Sequence, residues 1–314
     1  MILIGQTIHG YQFLDGIATG GFSEVYKARR LDTEEIVAIK RVNREKVTDG
    51  KVTERFNIEA QIIAELHSPH ITSVYDHWRD ENGLFMAMKW MANGSLRRRI
   101  DAGGVRDLPT IVKWIEQVGS ALQTTHNAGL IHRDIKPDNI MLDEEDNAYL
   151  SDFGLAKDTN RDEPLTQTGW KLGSQAYSSP EQISNEGEPS VQSDIFALGI
   201  TIYETLTGTH PFIDGSTDNI RWMITALREP MPLVHFIHPE IPTEMDDVLQ
   251  KATQKNPADR YQSAHEMVIS CKQLIGSTGL LSPIVDLPPV AETNNKRDDQ
   301  QPPRKGLLGR LLGR

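Results

Sequence analysis

His132-Arg133-Asp134-Ile135-Lys136-Pro137-Asp138-Asn139 is the stretch from which the rest of the chain is read. It brings a carboxylate, a lysine and an amide within six residues, and Pro137 discourages regular helix. Asp134 can accept a hydroxyl proton, Lys136 can hold a phosphate charge, and Asn139 can offer a side-chain oxygen to Mg²⁺. Thirteen residues beyond Asn139 stands Asp152-Phe153-Gly154, which adds a second hard oxygen ligand. Phosphoryl transfer requires this combination: a group to orient the attacking hydroxyl, cations against the phosphate, and oxygen ligands for Mg²⁺. Either triplet alone could be an unrelated polar loop; their order and spacing together argue against that.

Upstream, residues 1–88 alternate as strands do, as in Val37-Ala38-Ile39-Lys40. They contain one amphipathic helix, whose Ile58, Ile62, Ile63 and Leu66 recur at helical spacing. Residues 94–275 read mostly as helices, clearest over 111–126 and 194–207. Beyond 275, Ser, Thr, Pro, Asn and Asp predominate, which predicts a disordered tail over 276–314 with a short basic-apolar end. The chain of 314 residues carries a formal net charge of −11, unlike the basic surface of a nucleic-acid binder. Its one cysteine, Cys271, forms neither an internal disulfide nor a Cys-based metal site and suits a cytoplasmic location. The longest nearly uncharged apolar run, 195–203, is too short to span a bilayer. Residues 1–4 lack the charged lead of a signal peptide and read as the approach to a first strand.

The two motifs resemble the catalytic and magnesium loops of eukaryotic-type serine/threonine protein kinases, most closely the bacterial members, and the resemblance covers roughly residues 8–275. It implies an α+β bilobal fold. A small antiparallel-sheet lobe with one key helix would occupy about 1–88, a hinge 88–93, and a larger, mainly helical lobe 94–275. ATP would lie between the lobes with Mg²⁺, or Mn²⁺ in its place. Ile17-Ala18-Thr19-Gly20-Gly21-Phe22-Ser23-Glu24-Val25 resembles the Gly-rich lid over the phosphates. Lys40 would contact the α- and β-phosphates and pair with Glu59, while Ala38, on the same strand face, would roof the adenine. Met88 stands in the hinge and Met141 at the adenine floor. Asp194 would support the catalytic loop. Ser179-Pro180-Glu181 would close the activation segment, with Arg260 as the buried partner of Glu181. Lys136, two residues after the catalytic Asp134, and the hydroxyl of Ser174 fit serine/threonine acceptors on protein substrates. Thr166 and Thr168 resemble the paired threonines autophosphorylated in bacterial relatives, with Arg133 and Lys157 as the receiving cations and a transient dimer as the reacting species.

Some positions depart from the pattern. Ala18 and Ser23 replace two lid glycines, which predicts a stiffer lid. Lys89 stands where an acidic residue is frequent and is read as a solvated side chain; His67 and His70 are read as a packing turn rather than a metal pair. Two rivals are a pseudokinase scaffold, which the intact Lys40, Glu59, Asp134, Asn139 and Asp152 oppose, and a small-molecule kinase, which the full Ser-Pro-Glu closure opposes. Residues 296–314 hold six basic against two acidic residues with paired leucines, a pattern suited to peripheral contact with an anionic membrane, although their glycines oppose a helix.

Overall fold

Strand alternation in the first third builds one antiparallel sheet from β1 (Thr7–Ile8), β2 (Tyr11–Thr19), β3 (Ser23–Arg30), β4 (Ile36–Asn43), β5 (Val74–Asp80) and β6 (Gly83–Lys89), in the order β1-β2-β3-β4-β6-β5. The structure is a computed structural model describing residues 4–19, 23–43, 50–103, 107–153, 175–213 and 219–277, without the side chains of 43, 50–52, 55, 59, 219, 220 and 275–277. Because successive side chains point to opposite faces, the sheet has two apolar surfaces. One buries Tyr11, Phe13, Tyr26, Ala28, Val37, Ile39, Phe85 and Ala87. On it Trp78 of β5 stacks on Phe85 at 5.0 Å and on Tyr11 of β2 at 5.3 Å, so the sheet curls until its end strand β5 meets β2, four strands away in the order. The other face carries Val42, Leu84 and Met86, which pack on Phe56 and Ala60 of helix α1 (Gly50–Glu65). Ile62 and Ile63 further along α1, and Leu66 just past its end, all of the predicted apolar stripe, enter the core of the second lobe instead. One helix is thereby shared between both lobes.

The second lobe begins with β7 (Gly94–Ser95), α2 (Leu96–Asp101) and α3 (Leu108–Asn127). Asp107 caps α3 by accepting the Thr110 N–H at 3.1 Å, which extends the helix three residues ahead of the expected start. A hairpin of β8 (Ile140–Leu142) and β9 (Ala148–Leu150) follows and pairs with β7. Then come α4 (Pro180–Ser184), α5 (Val191–Thr207), α6 (Asn219–Arg228), α7 (Thr243–Ala252) and α8 (Ala264–Ser277). Every residue of α5 from Ser193 to Leu206 is buried, as befits a helix apolar on all sides. Gly208, at φ 73°, ends it in the left-handed conformation that glycine adopts without strain. α8 passes the expected domain boundary by two residues; residues 278–314 lie outside the described part. Among the described residues no helix is long and apolar enough to cross a membrane.

Candidate active site

The loop quoted first is shaped by the start of α5. Asp194 Oδ2 accepts the His132 N–H at 2.8 Å and contacts His126 Nε2 at 2.9 Å, while Oδ1 accepts the Arg133 N–H at 2.9 Å. These bonds hold Arg133 at φ 67°, a left-handed backbone at a non-glycine residue that is kept only where its surroundings enforce it. His132 is fully buried, and burial pushes its imidazole pKa down, towards the neutral ring. In that form Nε2 donates to the Ser151 carbonyl at 3.2 Å and Nδ1 accepts the Asp134 N–H at 3.3 Å. Pro137 opens a single 3-10 turn over Pro137–Asn139, which swings Asn139 back onto the aspartate. Asp134 Oδ2 accepts from Lys136 Nζ at 2.9 Å and from Asn139 Nδ2 at 2.9 Å, and the same amide donates to the Asp134 carbonyl at 2.8 Å. Asp134, Lys136 and Asn139 thus form one hydrogen-bonded unit.

Asp152 follows β9 at φ 54°, again left-handed, while the next residue, Phe153, is buried with its ring 4.6 Å from that of His132. Lys40 Nζ reaches Asp152 Oδ1 at 2.7 Å across 112 residues of chain. Burial pushes the Asp152 carboxyl up, but the Lys40 ammonium beside it, followed by Lys136, outweighs this and holds the group below the usual carboxylate range. The expected partner of Lys40, Glu59, lies on α1, but its side chain is outside the described part. For a divalent cation the donors fit. The Asn139 amide nitrogen is engaged with Asp134, leaving its oxygen for a hard ion, and Asp152 is an ionised carboxylate. Among the described residues no three His, Cys, Asp or Glu side chains gather to hold a metal, so a cation here would complete its shell with phosphate oxygens and water.

The register of the sheet sorts the lid and adenine residues. Ala38 lies opposite Met88, and Lys40 opposite Val25 and Met86, so Ala38, Lys40, Met88 and Val25 share one face. Ile17 sits in the β2 bulge between Gly16 and Ala18 and is 48% exposed. Ala18 pairs with Val25 and Thr19 with Glu24 as ordinary strand residues, so Ala18 needs none of the backbone freedom of glycine. The Glu24 side chain departs from the expectation of a nucleotide contact. It accepts from Tyr26 Oη at 2.6 Å and from the buried Arg41 at 2.8 Å, on the face opposite Val25 and Lys40. Met141, on β8, lies opposite Tyr149 of β9. Gly20, Gly21, Phe22, Lys157, Thr166, Thr168 and Ser174 lie outside the described residues, whereas Ser23 opens β3.

The closing Ser179-Pro180-Glu181 is a helix start. Ser179 and Gln182 form a reciprocal capping box with Pro180 at the first position of α4. Glu181 then meets Arg260 through two bonds of 2.9 and 2.7 Å, and the guanidinium, 2% exposed, also donates to the Gln254, Gln192 and Lys255 carbonyls. Three groups carried no signal in the sequence. Arg97 donates to Glu204 at 2.8 Å and to Tyr177 Oη at 2.5 Å, tying α2 to α5 beside the catalytic loop. His126 adds the third contact to Asp194. Lys89 is not a solvated side chain: its Nζ donates to Tyr149 Oη at 2.7 Å and lies 3.5 Å from Asp143. His70, half-buried, places Nδ1 3.1 Å from the Ala148 carbonyl, and its ring leans on Tyr149.

Comparison with known proteins follows the same outline. The family model described as "Protein kinase domain" matches residues 11–270. The serine/threonine-protein kinase PknH of Mycobacterium tuberculosis is 34% identical over 272 residues, which cover 87% of this chain and 43% of that protein. The serine/threonine-protein kinase PrkC of Bacillus subtilis is 35% identical over 272 residues, 86% of this chain and 41% of that protein. The chain therefore spans less than half the length of these curated relatives. A crystal structure of the Mycobacterium tuberculosis PknI kinase domain aligns with a TM-score of 0.66 at 24% identity, covering 88% of this chain and all of that one, a likeness of fold.

Proposed function

This chain belongs to the protein kinase family, in its bacterial serine/threonine type, and from that membership we propose that its cleft transfers the γ-phosphate of ATP to serine or threonine hydroxyls of proteins. The observation that carries the reading is the Asp134–Lys136–Asn139 unit, braced by Asp194 and accompanied by the Lys40–Asp152 pair. In this reading Asp134 orients the acceptor hydroxyl and receives its proton, Lys136 neutralises the transferring phosphoryl group, and Lys40 holds the phosphates that remain. Asn139 and Asp152 would hold Mg²⁺, which when bound supplies further neutralisation of phosphate charge. Because the hydrogen bonds preset these groups, catalysis is mainly positioning and charge neutralisation.

We also propose that the enzyme phosphorylates Thr166 and Thr168 of its own activation segment. The support is the resemblance of that pair and the two cations, Arg133 and Lys157, that a phosphothreonine could engage. One experiment addresses both proposals: incubation with radiolabelled ATP, Mg²⁺ and a generic acceptor protein, followed by mass spectrometry of the kinase. Asp134→Asn is expected to lower turnover at least ~100-fold while ATP still binds. Wild-type turnover in that variant would remove Asp134 from its role. Full activity in a Thr166→Ala/Thr168→Ala double variant would end the autophosphorylation proposal.

A further inference from the structure

Lys89 ends β6 at the hinge, and its side chain leaves the small lobe altogether. Its Nζ lies 2.7 Å from Tyr149 Oη, 4.0 Å from the centre of that ring and 3.5 Å from the Asp143 carboxylate. Both partners belong to the β8–β9 hairpin of the large lobe. Tyr149 faces Met141 directly in the hairpin register, so the two side chains stand together on one face. Asp143 is a rigid anchor: it is 5% exposed and accepts the N–H groups of Glu145 at 3.1 Å and Asn147 at 2.8 Å within its own turn. At the end of the hinge, the Asn93 N–H donates to the Leu142 carbonyl at 3.1 Å. The hairpin is held on its other flank as well. The Leu150 N–H donates to the His70 carbonyl at 2.8 Å, and the Thr72 N–H donates to the Leu150 carbonyl at 2.9 Å. The hinge strand, the hairpin and the loop after α1 therefore form a continuous seam, and Lys89 is the charged bond that ties the hinge strand to it.

We propose that Lys89 and Tyr149 are positioning residues for the nucleotide: their bond sets the spacing between the hinge edge and the Met141 floor, and so tunes affinity for the adenine end of ATP without touching it. The inference rests on reading the cleft as an ATP site. A lysine bonded to a mobile surface carboxylate would transmit nothing, because the partner would follow it. Here the partners are a strand tyrosine packed by His70 and an aspartate locked in its turn, so a displaced hinge must break the bond. Lys89 is also 32% exposed at its side chain, so the bond contributes little to global stability, and its effect belongs in ligand affinity.

The test compares Lys89→Met, which keeps the aliphatic stem, with Tyr149→Phe, which keeps the ring, and with their double variant, each in the full chain. ATP binding is measured by calorimetry, and turnover with a generic acceptor protein. Each single variant is expected to raise Kd and KM for ATP about three- to tenfold with kcat within about twofold of wild type. The double variant should match Lys89→Met and fall short of the sum of the two singles, since Lys89→Met already loses the Tyr149 bond together with the 3.5 Å contact to Asp143. Lys89→Arg, which retains a charged donor, should recover most of the affinity. Unchanged Kd, additive losses in the double variant, or tighter ATP binding would each overturn the proposal. So would a parallel fall in Tm and kcat at constant Kd, which assigns the pair to stability. A wild-type chain that binds no ATP would overturn the kinase reading and this proposal with it, whereas wild-type binding with unchanged variants overturns the strut alone.

Discussion

His210 shows how one side chain can make stability depend on pH. Its Nε2 donates to the Ala176 carbonyl at 3.0 Å and its Nδ1 accepts the Phe212 N–H at 3.2 Å, so only the neutral ring satisfies both neighbours. Burial pushes its pKa down to about 4. In the unfolded chain the imidazole titrates near ~6.5, so between these values the unfolded chain binds a proton that the folded chain refuses. Stability is therefore full above about 6.5 and declines as pH falls towards about 4. Buried His132, also held down by burial, acts in the same sense. Glu181 works in a lower window. Burial raises its carboxyl but Arg260 outweighs that and holds it down, so its contribution is present above the ordinary glutamate range and lost only as pH drops through and below it. The expected outcome is a Tm that drops between pH 7 and pH 5, with a shallower drop in His210→Gln, measured by calorimetry at both pH values. Equal slopes in the two proteins would rule out His210 as a source.

Gly119 of α3 lets α8 approach closely. A Cβ built at Gly119 would stand 2.3 Å from Cγ2 of Val268, which is itself buried and β-branched, so it has little rotamer freedom with which to withdraw. Two effects oppose each other in Gly119→Ala. Helix propensity favours alanine by roughly 1 kcal/mol. Forcing a methyl into a packed interface costs about 1–3 kcal/mol. At 2.3 Å something must move, so a net loss of stability is expected in urea denaturation, with part of it recovered in a Gly119→Ala/Val268→Ala double variant. A more stable single variant would show that α8 withdraws freely. Gly199 of α5 is a milder case of the same device: its Cβ would meet Thr253 Cγ2 at 2.8 Å.

The two lobes are joined by more than the hinge. α1 contributes Phe56 and Ala60 to the small-lobe core and Ile62 and Ile63 to the large one, while Lys40 reaches Asp152 across the cleft. A shift of α1 therefore moves both walls of the site together. The basic end of the chain, in contrast, lies outside the described residues. In a protein of net charge −11, residues 296–314 are a local excess of positive charge, which motivates the proposal that they meet an anionic surface. Deleting 296–314 is expected to leave kcat and KM unchanged and to reduce co-sedimentation with phosphatidylserine vesicles. Equal sedimentation of the full and shortened chains would dismiss the membrane contact.

What the amino-acid sequence determined by itself was local chemistry whose backbone is set by its own neighbours. Pro137 discourages regular helix, and the chain there makes only a single 3-10 turn; the apolar run 195–203 lies within the helix expected over 194–207, which is α5. The family resemblance added the Asp194 support of the catalytic loop and the Glu181–Arg260 pair. The Lys89 bond to Tyr149 spans 60 residues and that of Arg97 to Glu204 spans 107, and no short-range pattern records either. Alternation alone sets Glu24 on the face away from Val25, but only the register of β3 against β4 puts Arg41 opposite it to hold its carboxylate there. Short motifs carry their own hydrogen bonds, so they are legible along the chain. Which face a side chain takes, and which distant partner it finds there, is decided when strands pair and the lobes close on a shared helix.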